Sequence, residues 1–574
     1  MSRGLNLPSF AGRRLPNHWD LFAILVVFGA LTAMVHVAGG TFAPISAPEA
    51  LAIHLEPAYL PEYAARTTLR MFGALAASLL FTFTYGTAAA KSRRAGAVLI
   101  PLLDVLQSVP ILGFLTFTVA FFLNLFPGRV LGLELAAIFA IFTSQAWNMA
   151  FSLYQSLRTL PPDLQEVSQS FRLGAWQRFW RLEVPFAVPG LVWNTMMSMS
   201  GGWFFVVAAE AVTLGEKTWT LPGIGSYVAE ALDKRDIAAV GYAIGAMLVV
   251  ILLYDQLLFR PLVAWSSKFR FETTAAVEAA DPWVLRLVRR THLLRAAVVM
   301  FGDAITWAGG LRIGSGTRRR AFGAPPSRLI DAAWLIVLGL VLAWAAWKLA
   351  QFVAGQLTWA DARETLLLGC VTLARVAILM GIATLVWVPI GVWLGLRPAW
   401  ARRAQPVAQF LAAFPANLLY PPFVLFIVRF KLDPNVWLTP LMVLGTQWYI
   451  LFNVVAGAAA FPGDLREAAT NFGVRGRLWW LRVILPGIMP YYLTGAITAS
   501  GGSWNASIVA EVASWGHTKL VADGLGAYIA EATAKGAMAR VVLGVAVMSG
   551  FVLIINRLLW RPLYAYTTRR LTLT

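Results

Sequence analysis

Glu210 and Glu511 stand 301 positions apart (511 − 210), each near the outer end of a long apolar run. An ionised carboxylate within hydrocarbon is costly, so such groups are paired or take part in transport. Two roles fit them: a place on a polar path, or a structural hydrogen bond that orients the outer loop that follows. A carboxylate is a poor ligand for an anion, which favours the second. Arg70 and Arg375 lie near the outer ends of two other apolar runs, at nearly equivalent places. They are candidates for lining an anion path; the plainer alternative is a side chain that snorkels to the interface. The amides of Gln145, Asn148, Gln447 and Asn453 can line a polar path or join helices by hydrogen bonds. Trp203 and Trp504 follow glycine-rich steps at matched positions and can gate a path or simply pack.

A second set of polar residues lies in basic loops. Asp163-Leu-Gln-Glu166 and Asp464-Leu-Arg-Glu467 share a capping-box spacing, with an acid at the expected N-cap and another three residues on. Glu166 and Glu467 can contact a partner protein, cap their helix, or do both. Gly174 belongs to the first loop. Ala468, Ala469 and Gly473 follow in the second, where small residues let another surface approach and Gly473 permits a sharp turn. No catalytic or metal cluster is evident: the histidines are His18, His36, His54, His292 and His517, none paired at ligand spacing.

The elements that position these residues occur twice. Asp163/Asp464, Phe171/Phe472, Pro185/Pro486, Trp203/Trp504, Gly225/Gly526, Tyr227/Tyr528, Glu230/Glu531 and Arg260/Arg561 all keep the offset of 301 (464 − 163). Chance does not hold one register over so many identities, so the chain is an internal duplication. The chain is 59% hydrophobic and 13% charged, too apolar for a soluble enzyme of 574 residues. Apolar runs of about 20 residues recur, each long enough to cross a bilayer as a helix. The expected spans are 21–40, 64–90, 97–123, 133–157, 186–214 and 237–258, then 329–350, 365–396, 404–430, 436–461, 487–513 and 537–559. The third is broken by Pro101 and Pro110, and 215–236 reads as an outer loop or re-entrant segment. The net charge of +19 is concentrated in loops, as the positive-inside rule predicts, and no basic soluble domain calls for nucleic acid. Both termini and both loops then face the cytoplasm, and the first run reads as a retained anchor. Cys370 is the only cysteine, so no intrachain disulfide forms. The organisation expected is a first half at 1–263, a basic cytoplasmic linker at 264–328 and a second half at 329–574. Within the linker, 281–298 has helical periodicity with a basic face and can lie on the inner leaflet or be solvated.

The second loop resembles the EAA loop of ABC-importer permeases. Glu467-Ala468-Ala469, Gly473 and Val483-Ile484-Leu485-Pro486 carry the likeness. The first copy departs from it, with Val167 and Ser168 for the alanines and Arg172 for the glycine. The flanks Val207-Ala208-Ala209-Glu210 with Leu221-Pro222-Gly223-Ile224-Gly225, and Ile508-Val509-Ala510-Glu511 with Gly524-Leu525-Gly526, are similar to the nitrate/sulfonate/taurine/bicarbonate branch. The resemblance implies an all-α polytopic membrane protein of the type I ABC importer fold, with two six-helix halves as parallel repeats in the inner membrane. It implies two separate ATPase subunits docked on the loops, an extracytoplasmic substrate-binding protein and a small anion as cargo. The sequence has no GxxxxGK[ST] phosphate loop, and its Ser-Gly-Gly steps lie inside apolar spans, so ATP and Mg are expected in the partner subunits and no cofactor in this chain. Two other classes fit the apolar composition: a secondary transporter with two six-span halves, and a polytopic membrane enzyme. The duplicated loop argues against the first, and the lack of a catalytic cluster against the second.

Overall fold

The computed structural model describes residues 51–107, 109–214, 217–269, 283–311, 328–459, 461–515 and 518–570, with isolated positions between 20 and 46. The described chain is helical apart from two short antiparallel hairpins and an isolated bridge between Pro44 and Arg129.

Six described helices are long and apolar enough to cross a membrane: Pro57–Lys91, Val130–Arg158, Ile237–Ser266, Trp359–Gly395, Gly476–Ala510 and Met538–Thr567. The count is eight if two bent pairs each make one span. Val407–Ala413 with Ala416–Arg429 bends by 83°, and Pro434–Leu444 with Trp448–Ala459 by 44°. The expected third span is two helices, Arg93–Leu106 and Ile111–Leu125, separated just before Pro110, whose ring cannot continue a helix from the residue before it. The fifth is the helix Val184–Glu210, and the seventh lies within Arg328–Ala354. Most of the first, 21–40, lies outside the described residues.

The duplication is preserved element by element. Hairpin Ala211–Leu214/Lys217–Thr220 recurs as Val512–Trp515/Thr518–Val521, helix Ile224–Asp233 as Leu525–Ala534, and helix Ile237–Tyr254 as Met538–Ile555, each shifted by 301 (512 − 211). Single π-helical turns recur too, at Phe179–Glu183 and Trp480–Ile484, and at Asp255–Phe259 and Asn556–Trp560. A π turn holds one extra residue, which rotates the faces of a helix on either side of it. The segments expected as outer or re-entrant loops are thus a hairpin followed by a ten-residue helix in each copy.

Two compact units form. One comprises Met1–Ala38, Gln155–Trp193 and Leu253–Arg320; the other comprises Gly39–Tyr154, Asn194–Leu252 and Ala321–Thr574. In the larger unit, glycines set the helix contacts of the second copy. A Cβ at Gly391 would fall 2.7 Å from Val454, one at Gly395 2.6 Å from Ala458 and one at Gly457 2.8 Å from Tyr491. Close packing of this kind, not hydrophobicity, joins helices in lipid. Trp203, Trp504 and Tyr227 are among the largest fully buried side chains of this unit.

In the smaller unit the linker contributes two helices, Trp283–Arg290 and His292–Gly310, where one basic-faced helix was expected over 281–298; the break falls at Thr291. Residues 270–282 and 312–327 lie outside the described residues. The second helix ends against the first loop. Trp176 Nε1 donates to the carbonyl of Ala308 and Gln177 Nε2 to that of Gly310, both at 2.8 Å. The last carbonyls of a helix have no acceptor role within it, and these two side chains supply donors.

Candidate functional site

The two loops fold alike, but not as the capping-box spacing predicted. The loop helices run Pro162–Ser170 and Gly463–Asn471, with Pro161 and Pro462 at the N-caps and no side-chain cap bond. Proline fixes an extended entry and then a helical φ, so the helices start two residues earlier than expected (163 − 161, 464 − 462). Asp163 and Asp464 therefore sit inside the first turn, where their charge complements the helix dipole without capping it. Glu166 and Glu467, with Asp163 and Asp464, are exposed and make no ion pair among the described residues.

The small residues do not all face outward. Ala469 is buried, as is Ser168 at the matching place, so these two positions do not lie open at the surface. What the loops present instead is an aromatic ring: Phe171 is 75% exposed and Phe472 85%. After each ring the chain turns through a left-handed residue, Gly473 at φ 67° and Arg172 at φ 50°. The departure Arg172 noted in the sequence thus keeps the backbone shape of the glycine and bears its strain. Gly174 starts the next short helix, Ala175–Arg178, with an ordinary φ of −65°.

At the opposite ends of the long helices, each Glu closes a buried network. Glu210 Oε1 accepts from Thr67 Oγ1 and Arg70 Nη1, both at 2.6 Å, and Oε2 accepts from the backbone of Gly225 at 2.7 Å. Arg70 also forks onto Glu134, Nε to Oε2 at 2.6 Å and Nη2 to Oε1 at 2.7 Å. In the second copy Glu511 accepts from Thr372 at 2.8 Å, Arg375 at 3.2 Å and Ala527 N at 3.0 Å. The carboxylate of Glu134 is missing there: the residue 301 positions on is Asn435, and Arg375 Nη2 donates to its Oδ1 at 2.9 Å while Nη1 reaches the Asp523 carbonyl at 2.7 Å. Each Glu binds the start of the ten-residue helix behind the hairpin, where backbone N–H groups converge. The two arginines therefore neither line a path nor snorkel to an interface; Arg70 is 2% exposed and is consumed by carboxylates. Glu134 escaped the sequence reading, although the argument applied to Glu210, a carboxylate in an apolar helix, applies to it equally.

The larger unit holds a cavity of about 240 Å³. Asn148 and Trp504 line it, together with Gln107, Thr143, Ser144, Ser198, Tyr449, Thr498, Ser500, Asn505 and Asn556; Trp147, Phe205 and Trp560 are among its apolar walls. Among the described residues, no Asp, Glu, Lys, Arg or His is in its lining. Residues from both copies meet here. Asn505 Oδ1 takes the backbone N–H of Ile111 at 2.7 Å, and Asn148 Nδ2 donates to Ser198 Oγ at 3.2 Å. The other candidates fall outside the lining. Gln145 contacts Ser78, Gln447 accepts from Trp387 Nε1 at 2.9 Å, Asn453 donates to the Tyr449 carbonyl one turn back, and Trp203 is core. Nothing in the spacing of Tyr449, Ser198 or Ser500 marked them, since lone hydroxyls in apolar helices commonly bond their own backbone.

The family model for the inner membrane component of binding-protein-dependent transport systems matches this chain twice, at residues 71–260 and 387–562. The chain belongs to this family. Both matches run from the network helix through the loop, the hairpin and the final span, so each copy is one family module. The bicarbonate transport system permease protein CmpB of Synechococcus elongatus is 27% identical over 186 residues, 32% of this chain and 64% of that one. The nitrate import permease protein NrtB of Leptolyngbya laminosa is 26% identical over 187 residues, 33% of this chain and 63% of that one. The glycine betaine/proline betaine transport system permease protein ProW of Escherichia coli is 24% identical over 212 residues, 36% of this chain and 59% of that one. Each alignment therefore spans less than two thirds of the relative. The chain is a multi-pass inner membrane protein with two permease modules in one polypeptide, an all-α fold carrying small hairpins.

Proposed function

We propose that this chain is the membrane-spanning subunit of an ATP-binding-cassette importer and moves a small anion. The observation that carries the reading is the paired module: two loops of one shape, each ending in an exposed phenylalanine, and a cavity in the larger unit lined by residues of both copies. Two ATPase subunits dock on the loops, one at Phe171 with Glu166 and one at Phe472 with Glu467. They supply the ATP and Mg chemistry, and this chain has no ATPase site of its own. An extracytoplasmic binding protein delivers the cargo to the face that carries the hairpins. Both termini and both loops are cytoplasmic, in keeping with their arginines. Closure of the ATPases pulls the loops together and shifts a two-state bundle between outward and inward openings, which needs only that ATP binding favour one state.

The names of CmpB and NrtB, for bicarbonate and nitrate, support an anion as cargo. A secondary transporter is disfavoured by the cavity: proton coupling commonly uses a carboxylate or histidine open to the path, and none lies among the described lining residues. The test is co-purification followed by uptake into vesicles. The chain is expected to bring down an ATPase, to hydrolyse no ATP alone, and to take up nitrate or bicarbonate only with ATP and the binding protein present. Uptake driven by an ion gradient without ATP would overturn the reading.

A further inference from the structure

The cavity's wall is largely apolar, yet it carries a group of hydroxyl, amide and indole donors and no charged side chain among the described residues. Several of its donors also have no protein acceptor among the described residues. The Tyr449 hydroxyl is unbonded, and Gly201 lets it stand close to the opposite helix: a Cβ there would lie 3.0 Å from Tyr449 Oη. Ser500 makes no hydrogen bond through its hydroxyl, Ser198 accepts from Asn148 and keeps its own proton to give, and the Asn556 amide is unbonded. The indole N–H of Trp504, in the cavity wall and 1% exposed, is likewise without an acceptor. Of these donors the Trp504 indole is buried, where an unpaired N–H is costly; the others open onto the cavity space, and donors gathered round one space suit an acceptor-rich occupant.

We propose that this cavity is a binding site for a small monovalent oxyanion, held by neutral O–H and N–H donors with no countercharge, and that it rejects divalent anions of similar size. The proposal rests on the importer reading and deepens it. Without a cation among the described lining residues, the ion's transfer from water is offset by hydrogen bonds alone. That transfer cost grows with the square of the charge, so a dianion faces about four times the penalty of a monoanion. Each donor bonds either ion, but no fixed charge is present to make up the difference. A site of this kind also binds weakly enough to release its ion, which conduction requires. An arginine in the lining would hold a monoanion far more firmly, and both membrane arginines of the networks are instead withdrawn into carboxylate and carbonyl partners.

The test reads occupancy directly, without transport. In a Cys370→Ala background, Gly501→Cys puts a thiol in the lining, where an added Cβ meets nothing within 4 Å. The rate of its modification by methyl methanethiosulfonate, an uncharged reagent, is measured on the full chain in lipid vesicles with nitrate or sulfate at equal ionic strength. Nitrate at ten times its half-effect concentration should slow modification about tenfold, and sulfate should not slow it. Tyr449→Phe, which removes only a hydroxyl, should raise the nitrate half-effect concentration several-fold; Trp504→Phe should do the same, with a risk to packing that the tyrosine variant avoids. Equal protection by sulfate, absence of nitrate protection, or unchanged protection in Tyr449→Phe would overturn the proposal. Protection by nitrate without ATP-dependent uptake by the whole complex would leave the site standing and remove the importer reading. Normal uptake without protection would do the reverse.

Discussion

Arg70 and Glu134 form a forked pair, Nε and Nη2 of the arginine on the two carboxylate oxygens at 2.6 and 2.7 Å, while the same arginine holds Glu210 with Nη1. The second copy keeps the Arg375–Glu511 pair but puts Asn435 in the place of the second acid. The two networks therefore differ in charge: one arginine serves two carboxylates in the first copy and one in the second. Arg70→Ala leaves two buried acids facing each other, whereas Arg375→Ala leaves one, still bonded by Thr372 and Ala527. Breaking a buried pair by removing one partner costs about 3–5 kcal/mol. The Arg70 variant should fall at or beyond that range and the Arg375 variant clearly below it, as read from denaturant unfolding of the purified chain. Equal losses would mean that Glu134 carries no charge for Arg70 to balance.

Arg172 takes a left-handed φ of 50°, and its equivalent, Gly473, takes 67°. A side chain in that region strains the backbone by about 1–2 kcal/mol, part of which glycine returns through the greater freedom of its unfolded chain. Arg172 is exposed, and its side chain makes no hydrogen bond among the described residues, so little is lost with it. Arg172→Gly should raise stability by roughly 0.5–1 kcal/mol, and Gly473→Ala should lower it by a similar amount. Both are measured as shifts in unfolding midpoint. Loss of stability in Arg172→Gly would show that the guanidinium holds the loop.

Phe171 and Phe472 project from the loop tips, while Ala469 and Ser168 are buried. If these rings seat in a pocket of each ATPase, they are the anchors of the contact, since a few buried aromatics carry most of an interface's energy. Phe472→Ala should then weaken co-purification of the ATPase by about tenfold or more, and Phe171→Ala should do likewise. Glu166→Gln and Glu467→Gln, lying on the exposed helix faces, should act mainly on association rate and its salt dependence. Pull-down titrations at two salt concentrations separate these outcomes. Retention of full affinity in both phenylalanine variants would move the docking surface elsewhere.

The constant register of 301 positions made the duplication, the membrane class and the loops legible in the sequence, because repeated identities and apolar runs need no tertiary information. The loop details were not. Pro161 and Pro462 displaced the helix starts by two residues and turned the expected caps into first-turn acids. Whether a small residue such as Ala469 faces a partner or its own core depends on which face of a nine-residue helix the unit covers, and polar periodicity that short does not decide it. The arginines were misplaced for a similar reason. A lone arginine in an apolar run snorkels unless an acid on another helix meets it, and Glu134 and Glu210 lie 64 and 140 residues away from Arg70 in sequence. The cavity was legible only at Asn148 and Trp504, since its remaining donors are hydroxyls that no spacing distinguishes from helix-bonded ones.

Gly223 and Gly524 stand against the carboxylates they help to enclose. A Cβ at Gly223 would fall 2.3 Å from Glu210 Cδ, and one at Gly524 2.3 Å from Glu511 Oε2. Their φ angles, 178° and −176°, are extended and open to any residue, so the requirement for glycine here is purely one of space. A methyl group cannot be accommodated without moving the glutamate, which is held from three sides by Thr67, Arg70 and Gly225. Gly223→Ala should therefore cost roughly 1–3 kcal/mol, the range for overpacking a filled site. Gly241→Ala is the control: it lies in the helix Ile237–Tyr254 with nothing within 4 Å of an added Cβ, and should be neutral or stabilise by up to about 1 kcal/mol. The combined variant Gly223→Ala with Glu210→Gln tests the cause. Glutamine keeps the bulk of the side chain while removing its charge, so a clash predicts that the alanine remains costly beside it. A double variant no less stable than Glu210→Gln alone would mean that the methyl acts by desolvating the carboxylate, and the glycine would then be required by the charge of Glu210 and not by its size.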